Sequence, residues 1–485
     1  MQLALLALSA TIALAAHSFL VRQGYPRINA VSAWSVPWLT ALVLLSIPGM
    51  SEPALGLLSI EMAALGIFGI SVGAVTVAII RPVARSAHHL YGLDDVPTSV
   101  VKSRHRILVV ILALFVTFDM WRQYPVFSSL GGFAGIWSSN GSSFRQQVSI
   151  LRLDELNSDV NFVQSVTGYL LFLGLGSLIT GAILWRRGET LLAGLPLALL
   201  AVRSLLTLER TSFVIGAIVF AACVSILNTQ DPLRQQRSRR YRRFVPAVSI
   251  LAVLGAVLLL PLTIRNKGTG NATGVQSLTQ YIVSGLAGLN IKNMNGLEWA
   301  LPYSPVTDVV GTQPGLGSYT FGGWFQIANR LGLSVPPPTG AKDFAMAAWG
   351  NAGYATNILT SIGDFYLDFM LPGVFLLPII LASLATWLQW RSISWHYTSL
   401  LPASLAVAGL AWGFFGNSVW SDIRYGFVAV LAPLTLGRLR RTPPDSPAVG
   451  AASTPSSGAH KFKLRNEALF APLPSESATA PRRKS

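Results

Sequence analysis

Asp364 and Asp368 stand four residues apart in the stretch NILTSIGDFYLDFMLPG, 357–373, where a long Gly- and Pro-rich segment meets an apolar run. If a helix begins near Gly363, the two carboxylates share one face about a turn apart, at the mouth of a membrane span. A carboxylate there is costly unless it is solvated, paired or used. The competing reading is a helix-start decoration, because acidic groups suit the positive end of a helix dipole.

The cations form a second set. Arg203 and Arg210 are seven residues apart, two turns on one helical face. Arg265 and Lys267 follow an apolar run, Arg145 and Arg152 lie in a polar loop, and Asp422 and Arg424 open the last apolar run. The planar fork of arginine suits phosphate. Pairing is the alternative: Arg210 with Glu209, Arg424 with Asp422, Arg122 with Asp119. Arg203 has no acid near it in sequence, and the neighbours of Arg265 are Asn266 and Lys267.

Other features carry less. Glu61 lies within an apolar run, where it is either functional or hydrogen-bonded to a neighbouring helix. The glycines of GTGNATG, 268–274, lack the following Lys-Ser/Thr of a phosphate loop. Asn140 and Asn271 fit a glycosylation pattern that often arises by accident. The spacings of Gly66 with Ile70 and of Gly69 with Gly73 read as helix packing. The six histidines never fall into a ligand-spaced set, and the single cysteine, Cys223, lies in an apolar run. These exclude an internal disulfide and a cysteine metal site.

The elements that must position these groups are membrane spans. The chain has 485 residues, 52% hydrophobic and 12% charged, with a mean hydropathy of +0.52. Soluble domains carry about 25% charged residues. The expectation is an all-α polytopic membrane protein with about eleven transmembrane helices. They fall near 2–20, 33–48, 54–80, 107–127, 160–185, 191–208, 211–227, 244–264, 363–390, 399–415 and 419–437. The chain begins apolar at once, without a positive leader region, so the first span is expected to stay.

The net charge of +16 is spread as orientation signals are, which argues against nucleic acid. With eleven spans, the basic loops 22–27, 81–106, 186–187 and 229–243 and the tail fall on one side. The positive-inside rule makes that side cytoplasmic, with the N-terminus outside and the C-terminus inside. The external face then receives 128–159, the Glu209–Arg210 turn, 265–362 and 416–418. The large loop between spans eight and nine, 265–362, is too long for a plain connection. Its apolar pieces 281–289, 319–333 and 344–349 read as short amphipathic helices. Residues 1–437 form the transmembrane domain, and 438–485, rich in Pro, Ser, Ala and Arg, form a disordered basic cytoplasmic tail. External cations run against the orientation rule, so they need a partner. A lipid-linked pyrophosphate at the outer leaflet is one.

At these residues the chain resembles the bacterial oligosaccharide repeat-unit polymerases, the Wzy-type O-antigen polymerases. Their segment reads N-x-x-T, then an acidic D-F-G-x-x-G at the start of a late span. Asn357, Thr360, Asp368, Phe369 and Gly373 match it, with Met370 in place of the usual glycine. Residues 205–221 resemble the family's span hairpin with an R-T turn, matched by Arg210 and Thr211. Residues 279–291 resemble its tyrosine helix, matched by Tyr281.

The resemblance implies a metal-independent glycosyltransferase of the bacterial inner membrane with no cofactor. It would join polyprenyl-pyrophosphate-linked oligosaccharide units into an O-antigen, capsule or exopolysaccharide. Arg203, Arg210, Arg265, Arg145 and Arg424 would hold pyrophosphate. Tyr281, Asn357 and Thr360 would contact substrate, and Asp364 or Asp368 would act as base. Membrane lipids, a flippase and a chain-length regulator would be its partners. An O-antigen ligase shares this layout, but usually shows a histidine in the large external loop, and 265–362 contain none. A lipid-linked glycan transporter is the alternative from another class, and should show repeat halves and a polar track through the spans.

Overall fold

The computed structural model describes residues 2–45, 57–83, 97–135, 147, 161–207, 211–229, 317, 320–333, 347–349, 354–356, 360–394, 399–415, 418–422, 425–426 and 428–429. Helices dominate them: α1 (Gln2–Arg22), α2 (Ala30–Leu45), α3 (Leu57–Ile80), α4 (Thr98–Ser129), α5 (Gly132–Gly135), α6 (Asn161–Arg186), α7 (Thr190–Thr207), α8 (Thr211–Thr229), α9 (Gly322–Arg330), α10 (Ser361–Ser394), α11 (Leu400–Trp412) and α12 (Ser418–Ser421). Five are long and apolar enough to cross a membrane: α1, α3, α7, α8 and the 368–393 part of α10. These make the chain a multi-pass membrane protein. Shorter apolar helices lie in α2, α6 and α11. The expected span 244–264 and the tail lie outside the described residues, as does most of 419–437.

The helices pack as two clusters. In the first, α3 lies along α10, α1 and α2 pack on α3, and α2 also meets α11. In the second, α4 packs on α6 and α7, and α8 packs on α6, α7 and α11. Helix α11 belongs to both. Ala406, Val407 and Leu410 face the first cluster, while Leu401, Leu405 and Ala408 face the second. Being apolar on every side, α11 can pack into both.

Small residues set the α3–α10 contact. A Cβ added to Gly69 would sit 2.6 Å from the Phe375 carbonyl, and one on Gly73 would strike that of Ile379. Here the glycine spacing read from sequence does what membrane helix pairs need, letting backbones approach.

Helix α4 departs from the expected loop-then-span division at residue 107. It starts at Thr98, and its 32 residues span about 48 Å, longer than the roughly 30 Å hydrocarbon core. Its first turns carry Lys102, Arg104 and Arg106. Lys102 pairs with Glu189 at 2.7 Å. Basic residues near a helix end can reach polar surroundings, so they need not end the helix.

Two of the expected amphipathic pieces can be compared with the structure. Within 319–333 a helix does form, α9. Within 344–349 the structure corrects the expectation, because Ala347–Trp349 is a strand, β1, paired antiparallel with β2 (Tyr354–Thr356). The intervening sequence GNAG favours a turn and disfavours helix. The piece 281–289 lies outside the described residues.

Candidate functional site

The site is built on the first turns of α10. Thr360 is its cap: the hydroxyl oxygen accepts from the Gly363 N–H at 3.3 Å, and the carbonyl accepts from the Asp364 N–H at 3.1 Å. The Ser361 N–H donates to the Gly413 carbonyl at 2.8 Å, which pins this end of α10 to the end of α11. Phe365 stacks on Trp34 of α2 with ring centroids 6.3 Å apart, and Trp38 meets Phe414 edge-on at 5.0 Å. Asp364 and Asp368 therefore start from a rigid aromatic platform. Both are fully buried, at 1% and 0% exposure.

The helix breaks immediately after Asp368. Phe369 has φ −141 and ψ 16, and Met370 has φ 55 and ψ −151. Pro372 explains the place. It has no N–H for the Asp368 carbonyl four residues back, its ring would collide with that carbonyl, and it disfavours helical Leu371. Gly373 completes the break, since an added Cβ would lie 2.8 Å from the Phe369 Cβ and collide with the Phe365 carbonyl. Met370 then occupies backbone space that is comfortable almost only for glycine. It is the one non-glycine residue with positive φ among the described residues.

At the break, Asp368 reaches out of its own helix. Its Oδ2 accepts from the Thr320 backbone N–H at 2.8 Å and from the Thr320 hydroxyl at 2.5 Å. Thr320, itself fully buried, leads into α9. Helix α9 in turn docks on α12, where the Trp324 indole N–H donates to the Trp420 carbonyl at 3.3 Å. The carboxylate thus joins a span to the large loop. Thr320 had no signal in sequence beyond its place within the apolar piece 319–333.

Arg203 stands in the second cluster. Its Nε donates to Asp119 Oδ2 at 2.8 Å, its Nη1 donates to the Ser212 hydroxyl at 3.0 Å, and the guanidinium lies 5.1 Å from the Phe115 ring centre. Both charges are at least nine-tenths buried. Read from sequence, Arg203 had no acid nearby, and Asp119 was matched with Arg122. The structure instead joins Asp119 on α4 to Arg203 on α7. The signal was present in the charges of two apolar runs, since buried charges in a membrane seek each other.

Among the sequence candidates the structure brings together Thr360, Asp364 and Asp368, and it adds Thr320. Arg145, Arg210, Arg265, Arg424, Tyr281 and Asn357 lie outside the described residues. Comparison with family models, curated proteins and solved structures finds no match for this chain.

Proposed function

We propose that this protein polymerises polyprenyl-pyrophosphate-linked oligosaccharide units at the outer face of a bacterial cytoplasmic membrane. The observation that carries the reading is the pair of buried carboxylates on the broken start of α10, tied to the large loop through Thr320. In this reaction the acceptor hydroxyl oxygen bonds to the anomeric carbon of the growing chain. The carbon–oxygen bond to pyrophosphate breaks, the lipid pyrophosphate leaves with the electron pair, and Asp368 or Asp364 takes the hydroxyl proton. The leaving group needs positive charge more than it needs an acid. Arg210 lies three residues beyond α7, and with Arg265, Arg145 and Arg424 it supplies that charge. Arg203, held by Asp119, supports the set from inside the bundle. Tyr281, Asn357 and Thr360 would contact the substrate.

The orientation in this reading puts the N-terminus and the large loop outside and the C-terminus inside. A reporter fused after Arg240 should be cytoplasmic and one after Gly315 external. A cytoplasmic result at Gly315 removes the site from the face where lipid-linked units are joined.

A second reading, a lipid-linked glycan transporter, is favoured by the break in α10, because discontinuous helices often line transport sites. Purified protein in vesicles with lipid-linked repeat units separates the two. Polymerisation gives a ladder of lengths, whereas transport moves single units across without one. In a deletion strain, single lipid-linked units should accumulate in place of a ladder. Arg210→Ala should abolish polymer with the protein still in the membrane, and Arg210→Lys should rescue little, because a point charge cannot reproduce a two-pronged contact.

A further inference from the structure

We infer that the ends of α3 and α10 remote from Asp364 and Asp368 bind the phosphate headgroup of an anionic membrane phospholipid, with Arg81 and Arg391 as its donors. Helix α3 runs along α10, with Gly69 beside Phe375 and Gly73 beside Ile379. At its end the Arg81 guanidinium lies 5.2 Å from the centre of the Trp390 ring. On α10 itself the Arg391 guanidinium lies 5.4 Å from the Trp387 ring centre. From Gly66, which touches Ile362 near the two aspartates, to Arg81 the chain rises about 22 Å. This site is therefore separate from the one proposed for chemistry.

The arginines stand on a fixed frame. The Arg81 N–H donates to the Val77 carbonyl at 2.7 Å, and the hydroxyl of the buried Tyr25 donates to the Arg81 carbonyl at 2.8 Å. The Gln389 side-chain amide donates to the Ile28 carbonyl at 3.0 Å. The turn after α1 thus ties both helix ends together, and it adds Arg22 and Arg27 to the same end. All four arginines are exposed. Among the described residues, none of them pairs with a carboxylate. Stacking on tryptophan occupies one face of a guanidinium and leaves the N–H groups at its edge for a ligand.

The surface next to them is apolar. Ile80 on α3 and Ile380, Leu384 and Trp387 on α10 are exposed. The last three recur, with Arg391, on one face of α10. In a multi-pass membrane protein such a stripe faces acyl chains, and here it ends at the arginines. Tryptophan favours the boundary between hydrocarbon and headgroups. An anionic phospholipid meets every part: its chains cover the stripe, its glycerol lies at the tryptophans, and its phosphate takes the arginine forks. A soluble phosphate leaves the stripe bare, and a zwitterionic lipid brings a cation of its own to the arginines.

Native mass spectrometry of the full chain, titrated with phosphatidylglycerol in detergent, counts bound lipids and gives their affinity. Arg81→Gln with Arg391→Gln should weaken the tightest phosphatidylglycerol by roughly tenfold or more. Arg104→Gln with Arg106→Gln removes the same charge from α4 and should leave that affinity nearly unchanged. Phosphatidylcholine should bind the wild type more weakly, and glycerol 3-phosphate, a headgroup without chains, should not compete. The proposal is overturned if phosphatidylcholine binds as tightly, if the α4 variant loses as much affinity, or if glycerol 3-phosphate competes as well as the lipid.

The unfolding midpoint gives a second readout, because a ligand that binds the folded state raises it. Phosphatidylglycerol should raise it in the wild type and in the α4 variant, but little in Arg81→Gln with Arg391→Gln. A full rise in that variant overturns the site. Arg391→Gln alone, at an exposed position outside the backbone ties, should fold as the wild type does and still bind phosphatidylglycerol more weakly. Undiminished affinity in this single variant overturns the role of Arg391.

Discussion

The two packing clusters place a buried carboxylate in different company. In the second, Asp119 meets the guanidinium of Arg203 and ties span to span, with α4 and α7 each held by apolar packing of its own. In the first, Asp368 meets a backbone amide and a hydroxyl and ties a span to a short loop helix. The difference lies in what each link joins. Breaking the ion pair strands a charge inside the bundle, so its loss should fall on folding. The Thr320 contacts bring two neutral donors to a carboxylate, a charge-assisted link between a span and a short helix.

The largest expected effect sharpens the contrast from the side of the first cluster. Asp368→Asn keeps the shape and an acceptor for Thr320 but removes basicity, so polymer formation should fall by roughly 10²–10⁴-fold while the protein stays folded. Wild-type polymer length and amount at normal expression would sink the base assignment. Asp364→Asn would then show whether its neighbour carries the role.

In the second cluster the effect should fall on folding. Asp119→Ala leaves Arg203 buried without its carboxylate, which costs about 3–5 kcal/mol, read as a lowered unfolding midpoint in detergent. Replacing both residues together, Asp119→Leu with Arg203→Met, should recover most of the loss. If that doubly apolar variant folds normally and also polymerises normally, Arg203 has no part in binding pyrophosphate.

Two smaller effects concern the frame around the first site. Gly73→Ala pushes α3 away from the Ile379 carbonyl, and overpacking of this kind costs about 1–3 kcal/mol. An unchanged thermal midpoint would show that the two helices are not in close contact. Met370→Gly should act in the opposite direction. It relieves a backbone strained for any side chain and pays back part of that gain in unfolded-chain entropy, for a net stabilisation of about 1 kcal/mol. A lower midpoint in Met370→Gly would mean that the break does not place residue 370 at positive φ.

Much of this was legible before any coordinates. The runs read as spans at 2–20, 54–80, 191–208 and 211–227 are helices to within a few residues. The glycines of α3 do pack against a helix, and residues 361–373 of the motif do form the start of one. What could not be read depends on partners remote in the chain. Met370 was visible as a departure from a resembled pattern, but its consequence was not, because a φ angle follows from how Pro372 and Gly373 turn the helix in space. The segment 344–349 was misread because three residues with aromatic and small side chains carry no period that separates strand from helix.

By itself, the sequence determined that the chain is a multi-pass membrane protein and where most of its helices run. Hydropathy is a local sum, and a bilayer imposes one length and one polarity on every span. Tertiary structure alone decided which buried polar groups meet. Asp119 and Arg203 are 84 residues apart in the chain, and Thr320 and Asp368 are 48 apart. No local propensity encodes such pairs. They form because each polar group, once its helix is buried, must take whatever donor or acceptor the packing brings within reach.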